Sequence, residues 1–287
     1  MASNIDGGGT RVTSVVRAMR VLEASADQPD GVALSALAAK LGSGKGTLSK
    51  IVATLVREGF VRQDPLTGRF HLGWRLLALA FGHAERVGLP ALCQPILQAI
   101  ADETDELVQL AVGEGDQVFF VAKAEGPGQR MRMVPLVGVA PPVHATASGK
   151  AWLAHLPESE ALAVIRRHGL SRVTARTVTS RVKLLAELRA ARAEGFAIVD
   201  EELVEGGRAV AAPILVAGRP VGAVVVSGPT FRLSLERLRR LAPRVKRAAA
   251  ELAAVWPAHA TVRDFGLGSG SVEDSRTPRD NAGRRTR

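Results

Sequence analysis

Residues 34–62 read LSALAAKLGSGKGTLSKIVATLVREGFVR, and their periodicity decides the fold of the N-terminal part of the chain. Leu48, Ile51, Val52 and Leu55 recur at i, i+3, i+4 and i+7, which puts a single apolar stripe on one side of a helix. The opposite side carries Lys45, Ser49, Lys50, Thr54 and Arg57. Upstream, Ser35 is placed to cap a shorter helix whose Leu37, Ala38 and Leu41 face inward, and Gly42 falls where a left-handed cap would end it. Ser43 is placed to cap the second helix and Gly59 to close it. Two short helices around a tight turn, the second basic on its outer side, form the unit that lays a recognition helix into the DNA major groove. An ordinary helical hairpin with a solvated face has the same periodicity.

The next residues separate those two readings. Phe60–Gln63 and Arg69–Leu72 are short β-prone runs joined by Asp64-Pro65-Leu66-Thr67-Gly68, where proline presets φ for a turn and glycine accepts a positive φ at its end. A helix-turn-helix followed by a hairpin is a winged helix. In that arrangement the hairpin lies along the DNA backbone, where Arg62 and Arg69 meet phosphates.

With these residues in place, the sequence resembles the IclR family of bacterial transcriptional regulators. The resemblance rests on Leu37-Ala38 with Leu41-Gly42, Thr47-Leu48, Ile51, Thr54-Leu55 and Gly59-Phe60-Val61. It continues through His144-Ala145-Thr146-Ala147 with Gly149-Lys150-Ala151, Asp200-Glu201-Glu202, Ala211-Ala212-Pro213 and Ser227-Gly228-Pro229, in the family's order and spacing, over residues 13–256. It implies an α+β chain of two domains. The first is the winged helix-turn-helix; a linker helix that contributes to dimerisation follows, and the second is a GAF-like effector-binding domain with an antiparallel sheet and flanking helices. DNA contacts are expected from Lys45, Gly46, Thr47, Ser49, Lys50, Thr54, Arg57, Arg62 and Arg69. The expected partners are double-stranded DNA carrying a palindromic operator, a small carboxylate effector, and further copies of the chain as a dimer or dimer of dimers.

Composition agrees with this reading. The 287 residues exceed one typical domain, and 46% hydrophobic with 23% charged residues is a globular composition. The net charge of +10 divides into +4 for residues 1–75 (ten Lys/Arg, six Asp/Glu), +4 for 76–256 (22 and 18) and +2 for the rest (six and four). Charge per residue is therefore higher around the DNA module than over residues 76–256, which fits a polyanion partner. With 4% aromatic residues and no tyrosine, the chain lacks the stacking platforms of many single-strand binders. Cys93 is alone, so no intrachain disulfide forms; no apolar run approaches the roughly 18 residues of a membrane helix, and the cytoplasm is the expected compartment.

Taken in order, residues 1–12 are Gly-rich and expected to be loose. Thr13 or Ser14 starts a helix to about Ala26 with Val15, Ala18, Met19 and Leu22 inward, and the winged helix runs to residue 73. Residues 74–88 form the linker helix, whose stripe of Trp74, Leu77, Ala78, Phe81 and Ala84 is too apolar for a solvated linker. It packs either on its own domain or against a second copy, and the resemblance implies the latter. From 89 to 256, a helix at 91–103 buries Leu92, Ile96 and Ile100. Strands are expected at 107–112, 118–124, 130–136, 196–200, 209–216 and 221–227, and helices at 147–155, 158–168, 180–194 and 235–255. The run Arg237, Arg239, Arg240, Arg244, Lys246 and Arg247 reads as a solvated face. Residues 257–287 are polar, glycine-rich and aperiodic, an expected disordered tail.

Little in the sequence supports covalent chemistry. Gly149-Lys150 lacks the upstream glycine and following Ser or Thr of a phosphate loop, and six histidines show no metal-ligand spacing. Neither a metal nor a cofactor is expected. A triad of His144, Ser148 and Asp200 is compatible with the sequence, but no nucleophile elbow surrounds Ser148. A hydrolase built on residues 141–150 and a non-specific nucleoid-type DNA binder are the alternatives to a regulator. A ligand pocket explains PPVHATASGK (141–150) better, because free N–H groups at a helix start receive a carboxylate. Carried over from the family, the effector-binding positions are Ala147, Ser148, Asp200, Ala209, Val225 and Ser227. Ala209 stands where many members have cysteine and Val225 where some have serine, so a less polar effector is expected, an aromatic or alicyclic carboxylate. Gly44 and Gly46 replace a proline and a small residue, and Lys50 an arginine, at the start of the recognition helix.

Overall fold

The structure is a computed structural model that describes residues 12–26, 28–128, 133 and 140–256. The chain divides into two compact units, residues 1–88 and 89–287.

The first unit holds helices α1 (Thr13–Ala26), α2 (Leu34–Leu41) and α3 (Lys45–Arg57), strands β1 (Val61–Gln63) and β2 (Phe70–Leu72), and helix α4 (Trp74–Val87). Leu48, Val52 and Leu55 of α3 pack with Val21, Leu37, Val61 and Phe70 into one core. Strands β1 and β2 pair antiparallel from Val61↔Leu72 to Gln63↔Phe70, and Val32 bridges Phe70 on the other side. The turn between them is fixed by Asp64, whose Oδ1 accepts from the backbone N–H of Leu66 and Thr67. Those two bonds favour the ionised carboxylate and hold Asp64 below its ordinary pKa.

The helix ends differ from the sequence expectation. Gly42 takes the left-handed cap at φ 58°. Neither Ser35 nor Ser43 caps, however: Ala33 precedes α2 and Gly44 precedes α3, with no side-chain bond at either. Ser35 lies inside the first turn, and the N–H of Ser43 bonds back to Ala38 to close α2. The inner face of α1 is also rotated. Val21, Ala24 and Ser25 are buried, with Ala18 and Leu22 against the core, whereas Val15 and Met19 are 51% and 54% exposed.

The second unit holds α5 (Leu89–Thr104), β3 (Leu107–Glu114), β4 (Gln117–Ala124), a 3-10 turn at Val143–Ala145, α6 (Ala147–His155), α7 (Glu158–His168), α8 (Arg181–Glu194), β5 (Ala197–Asp200), β6 (Gly207–Val216), β7 (Arg219–Pro229) and α9 (Leu235–Ala254). The strands form an antiparallel sheet in the order β4-β3-β7-β6-β5. Successive residues on a strand face opposite sides. One face presents Ala111, Phe120, Val199, Ala209, Ala211, Ala223 and Val225 to a core shared with α6, α7 and α8, and α5 and α9 cover the other. Most of the strand expected at 130–136 lies outside the described residues, and Met133 belongs to no element.

Small residues let α6 sit close to the sheet. A Cβ on Gly113 would overlap the Trp152 indole, and one on Gly149 would overlap the carbonyl of Val143. Gly149 of the Gly-Lys pair is thus a packing glycine, and its N–H donates to Thr146 Oγ1 at 3.0 Å.

Two helix faces need correction. On α5 the buried residues are Leu89, Cys93, Leu97, Ile100, Ala101 and Thr104, while Leu92 is 48% exposed, because the helix packs into the angle between β3, β4 and α9. On α9 the arginine run is not uniformly solvated. Arg237 donates to the carbonyls of Thr104 and Arg232, Arg244 to the Glu103 carboxylate, and Lys246 to the Glu194 carbonyl.

Candidate functional site

On the first unit, the expected DNA face is an exposed one. Lys45, Gly46, Thr47, Ser49, Lys50, Thr54 and Arg57 lie on the solvent side of α3, and Arg62 is exposed on β1. Among the described residues Lys45, Lys50, Arg57 and Arg62 meet no carboxylate, so their charges are available to a polyanion. Thr54 Oγ1 donates back to the Lys50 carbonyl at 2.9 Å. Arg69 differs from the rest: its Nη1 donates to the Gly31 carbonyl at 3.1 Å and ties the wing to the turn after α1. A Cβ on Gly44 or Gly46 would meet nothing within 4 Å, so packing does not require either glycine.

None of the α4 side chains is buried. Trp74 is 76% and Phe81 69% exposed, with Leu77 and Leu79 exposed beside them. Among the described residues of its own unit, therefore, nothing covers the apolar stripe.

The second unit contains a cavity of about 410 Å³ between α6 and the sheet. Its apolar lining comes from Leu107, Phe120, Met133, Val199, Leu203 and Val225. Five of the six sequence-derived effector positions are brought together there: Ala147, Ser148, Ala209, Val225 and Ser227. Antiparallel pairing explains the grouping, since Ala209 lies opposite Ser227 and Ala211 opposite Val225. Thr146 caps α6, so the free N–H groups of its first turn and the positive end of its dipole lie where Ala147 and Ser148 line the cavity. Ser148 Oγ is buried and has no hydrogen-bond partner among the described residues.

Asp200, the sixth position, is absent from the lining. Its carboxylate is held by Arg176 Nη1 at 2.6 Å and by Nε of Arg208. Arg208 is the residue that reaches the cavity, and its Nη1 also donates to the carbonyls of Thr230 and Leu233. The other two acidic residues of the run are held as well. Glu202 pairs with the buried Lys150, which also meets Glu187 at 2.7 Å, and Glu201 accepts from the Gly206 N–H. These contacts explain the Asp-Glu-Glu run as a clamp on the turn after β5.

The geometry does not assemble a hydrolytic triad. His144 is buried with Nε2 3.0 Å from the Ser171 carbonyl, Ser148 Oγ meets no base, and Asp200 is bound to arginines. Among the described residues no group of three His, Cys, Asp or Glu side chains is placed to hold a metal ion.

Sequence reasoning missed Gln109 and Arg208. Both line the cavity, and Gln109 Nε2 is buried without a partner among the described residues. A lone glutamine inside the apolar run LVQLAV (107–112) was the available signal.

Comparison with known proteins adds an independent line. A family model described as "IclR helix-turn-helix domain" matches residues 14–65, and one described as "Bacterial transcriptional regulator IclR C-terminal" matches residues 82–254. The transcriptional repressor IclR of Escherichia coli (strain K12) is 32% identical over 244 residues, 84% of this chain and 89% of that protein. A crystal structure of an IclR transcriptional regulator from Alicyclobacillus acidocaldarius superposes with a TM-score of 0.75 at 29% identity, covering 85% of this chain and 99% of that one. The inducer-binding domain of the transcription factor PobR from Acinetobacter, solved as a double mutant in complex with 3-hydroxybenzoic acid, is 29% identical. It covers 57% of this chain and 97% of its own, with a TM-score of 0.53.

Proposed function

This chain belongs to the IclR family of bacterial transcriptional regulators, and from that premise we propose a dimeric cytoplasmic repressor whose operator affinity is set by a carboxylate effector in the cavity of the second unit. The observation that carries the effector class is Ser148: a buried hydroxyl without a partner among the described residues, in the capped first turn of α6, facing a mostly apolar space. A buried hydroxyl left unbonded costs about 1–3 kcal/mol, and a carboxylate oxygen relieves that while meeting the helix dipole. The apolar lining, with Ala209 and Val225 in place of more polar residues, favours an aromatic or alicyclic body over a minimal keto acid. The complex of the PobR inducer-binding domain with 3-hydroxybenzoic acid supports the same class of ligand.

DNA is read by α3 and the wing. Lys45, Lys50, Arg57 and Arg62 supply unpaired charge for phosphates or base edges, while Arg69 stiffens the wing. The uncovered apolar face of α4, with Trp74 and Phe81, supports pairing of two copies, which presents two recognition helices to two-fold-related half-sites. Effector and DNA are then linked: a ligand that binds one arrangement of the paired C-terminal domains better than another shifts DNA affinity by no more than that difference.

The test is fluorescence anisotropy of the full chain on DNA from upstream of its own gene and on scrambled DNA, across a salt series with and without benzoate. A preference for upstream DNA that survives physiological salt, and moves with benzoate, is the expected result. Equal binding to both sequences that fades with salt would leave either an operator elsewhere or a non-specific binder.

A further inference from the structure

We infer that Gln109 is a specificity-determining residue of the cavity, reading a neutral hydrogen-bonding group, a hydroxyl or carbonyl, carried on the apolar body of the effector. This rests on the carboxylate reading above and extends it from one polar anchor to two.

The argument starts from where the amide sits. Gln109 lies near the middle of β3, opposite Val225 of β7, and is only 4% exposed. Its strand neighbours Val108 and Leu110 face the opposite side of the sheet, so Gln109 faces the cavity with Leu107, Phe120 and Val225 around it. Its Nε2 has no partner among the described residues. A primary amide buried among apolar groups without a hydrogen bond is a net loss relative to a leucine of similar size. Packing therefore gives no reason for glutamine at this position, and a ligand group that bonds the amide does.

Two orphaned polar groups, Ser148 on α6 and Gln109 on β3, thus line one cavity from different elements. A carboxylate at the α6 start uses the first. With the carboxylate spent at the α6 start, the second is left for another acceptor on the same ligand, a hydroxyl or carbonyl oxygen, to which Gln109 Nε2 donates. The occupant is then a hydroxylated or carbonyl-bearing ring acid. Sites built around a hydrogen bond reject the analogue that lacks the group, since the protein's own polar atom is left buried and unpaired.

Isothermal titration calorimetry of the full chain with benzoate, cyclohexanecarboxylate, 3-hydroxybenzoate and 4-hydroxybenzoate tests this. In the unmodified protein at least one hydroxylated acid is expected to bind about tenfold or more tighter than benzoate. Gln109→Leu should abolish that gap by weakening the hydroxylated acid while benzoate is held as well or better, and Gln109→Met should repeat the result. A thermal melt checks that both variants fold. The proposal is overturned if benzoate binds the unmodified protein as tightly as every hydroxylated acid, or if the gap persists in both variants; the carboxylate reading survives either result. If none of the four acids binds, the carboxylate reading itself falls, and this proposal with it.

Discussion

On α3, Lys45, Lys50 and Arg57 stand in solvent and, among the described residues, meet no carboxylate; on α9, Arg237, Arg244 and Lys246 are bound to neighbouring elements. Both helices are amphipathic and basic. What differs is what the basic side faces: α9 lies against α5 and the end of α8, whose carbonyls and carboxylates consume its donors, whereas the basic side of α3 meets none of the described carboxylates of its own unit. Unspent cations on an exposed helix signal a partner, and spent ones signal architecture. Arg239 and Arg247, beside Phe196 at a shallow groove, sit between these cases.

That contrast can be broken most easily from the α9 side. Arg237→Ala removes donors to the Thr104 and Arg232 carbonyls and a charge 3.8 Å from Glu106, which is itself 1% exposed. A loss of about 1–3 kcal/mol in urea unfolding is expected, with operator affinity unchanged; a variant that loses DNA affinity and keeps its stability would erase the distinction. Lys50→Ala should do the reverse, lowering affinity about tenfold at physiological salt and reducing the salt slope by about 1, with stability within about 0.5 kcal/mol. Unchanged slope and affinity would remove Lys50 from the interface.

Smaller effects sharpen the comparison. Gly46→Ala introduces a Cβ that meets nothing, in a helical position where glycine costs roughly 0.5–1 kcal/mol relative to alanine, so the variant should gain about that much stability. If it also loses affinity for DNA, the bare backbone at Gly46 is part of the interface. The smallest expected effect is a pH dependence confined to the second unit. Burial holds the His155 imidazole below its ordinary 6.5, although its Nδ1 lies near the Ala151 carbonyl. The folded state thus prefers neutral His155. Its contribution is fully present above pH 6.5 and is lost as pH falls through 6.5 toward the lower folded value, because the unfolded chain takes up a proton that the folded one refuses. Urea midpoints between pH 7.5 and 5.5 should fall less steeply for His155→Gln than for the unmodified chain.

Much of this was legible in advance, and unevenly. The α3 stripe, the Gly42 cap and the hairpin turn follow from local spacing and backbone preference, which a short window of sequence contains. Capping by Ser35 and Ser43 was misplaced because a one-residue shift of a helix start changes which side chain reaches the free N–H groups. The inward faces of α1 and α5 were rotated because their stripes are broader than the contacts they make, and only the packed neighbours choose which edge is covered. Helix α6 has no stripe at all, yet Ala147 through Ala154 are all buried, since the helix is enclosed by the sheet and α8.

By itself the sequence determined the order and type of most elements, the winged helix and the residues on the exposed basic side of α3, because each depends on periodicity and turn chemistry within a few residues. Tertiary structure decided the rest. Antiparallel pairing of β3, β7 and β6 sets Gln109 beside Val225, and the packing of α6 on that sheet brings Ser148 to the same cavity as Gln109. It also gave Asp200 to Arg176 and Arg208 instead of to the cavity. Residues more than a hundred positions apart, as Gln109 and Val225 are, share a site only through long-range register, which no local pattern encodes.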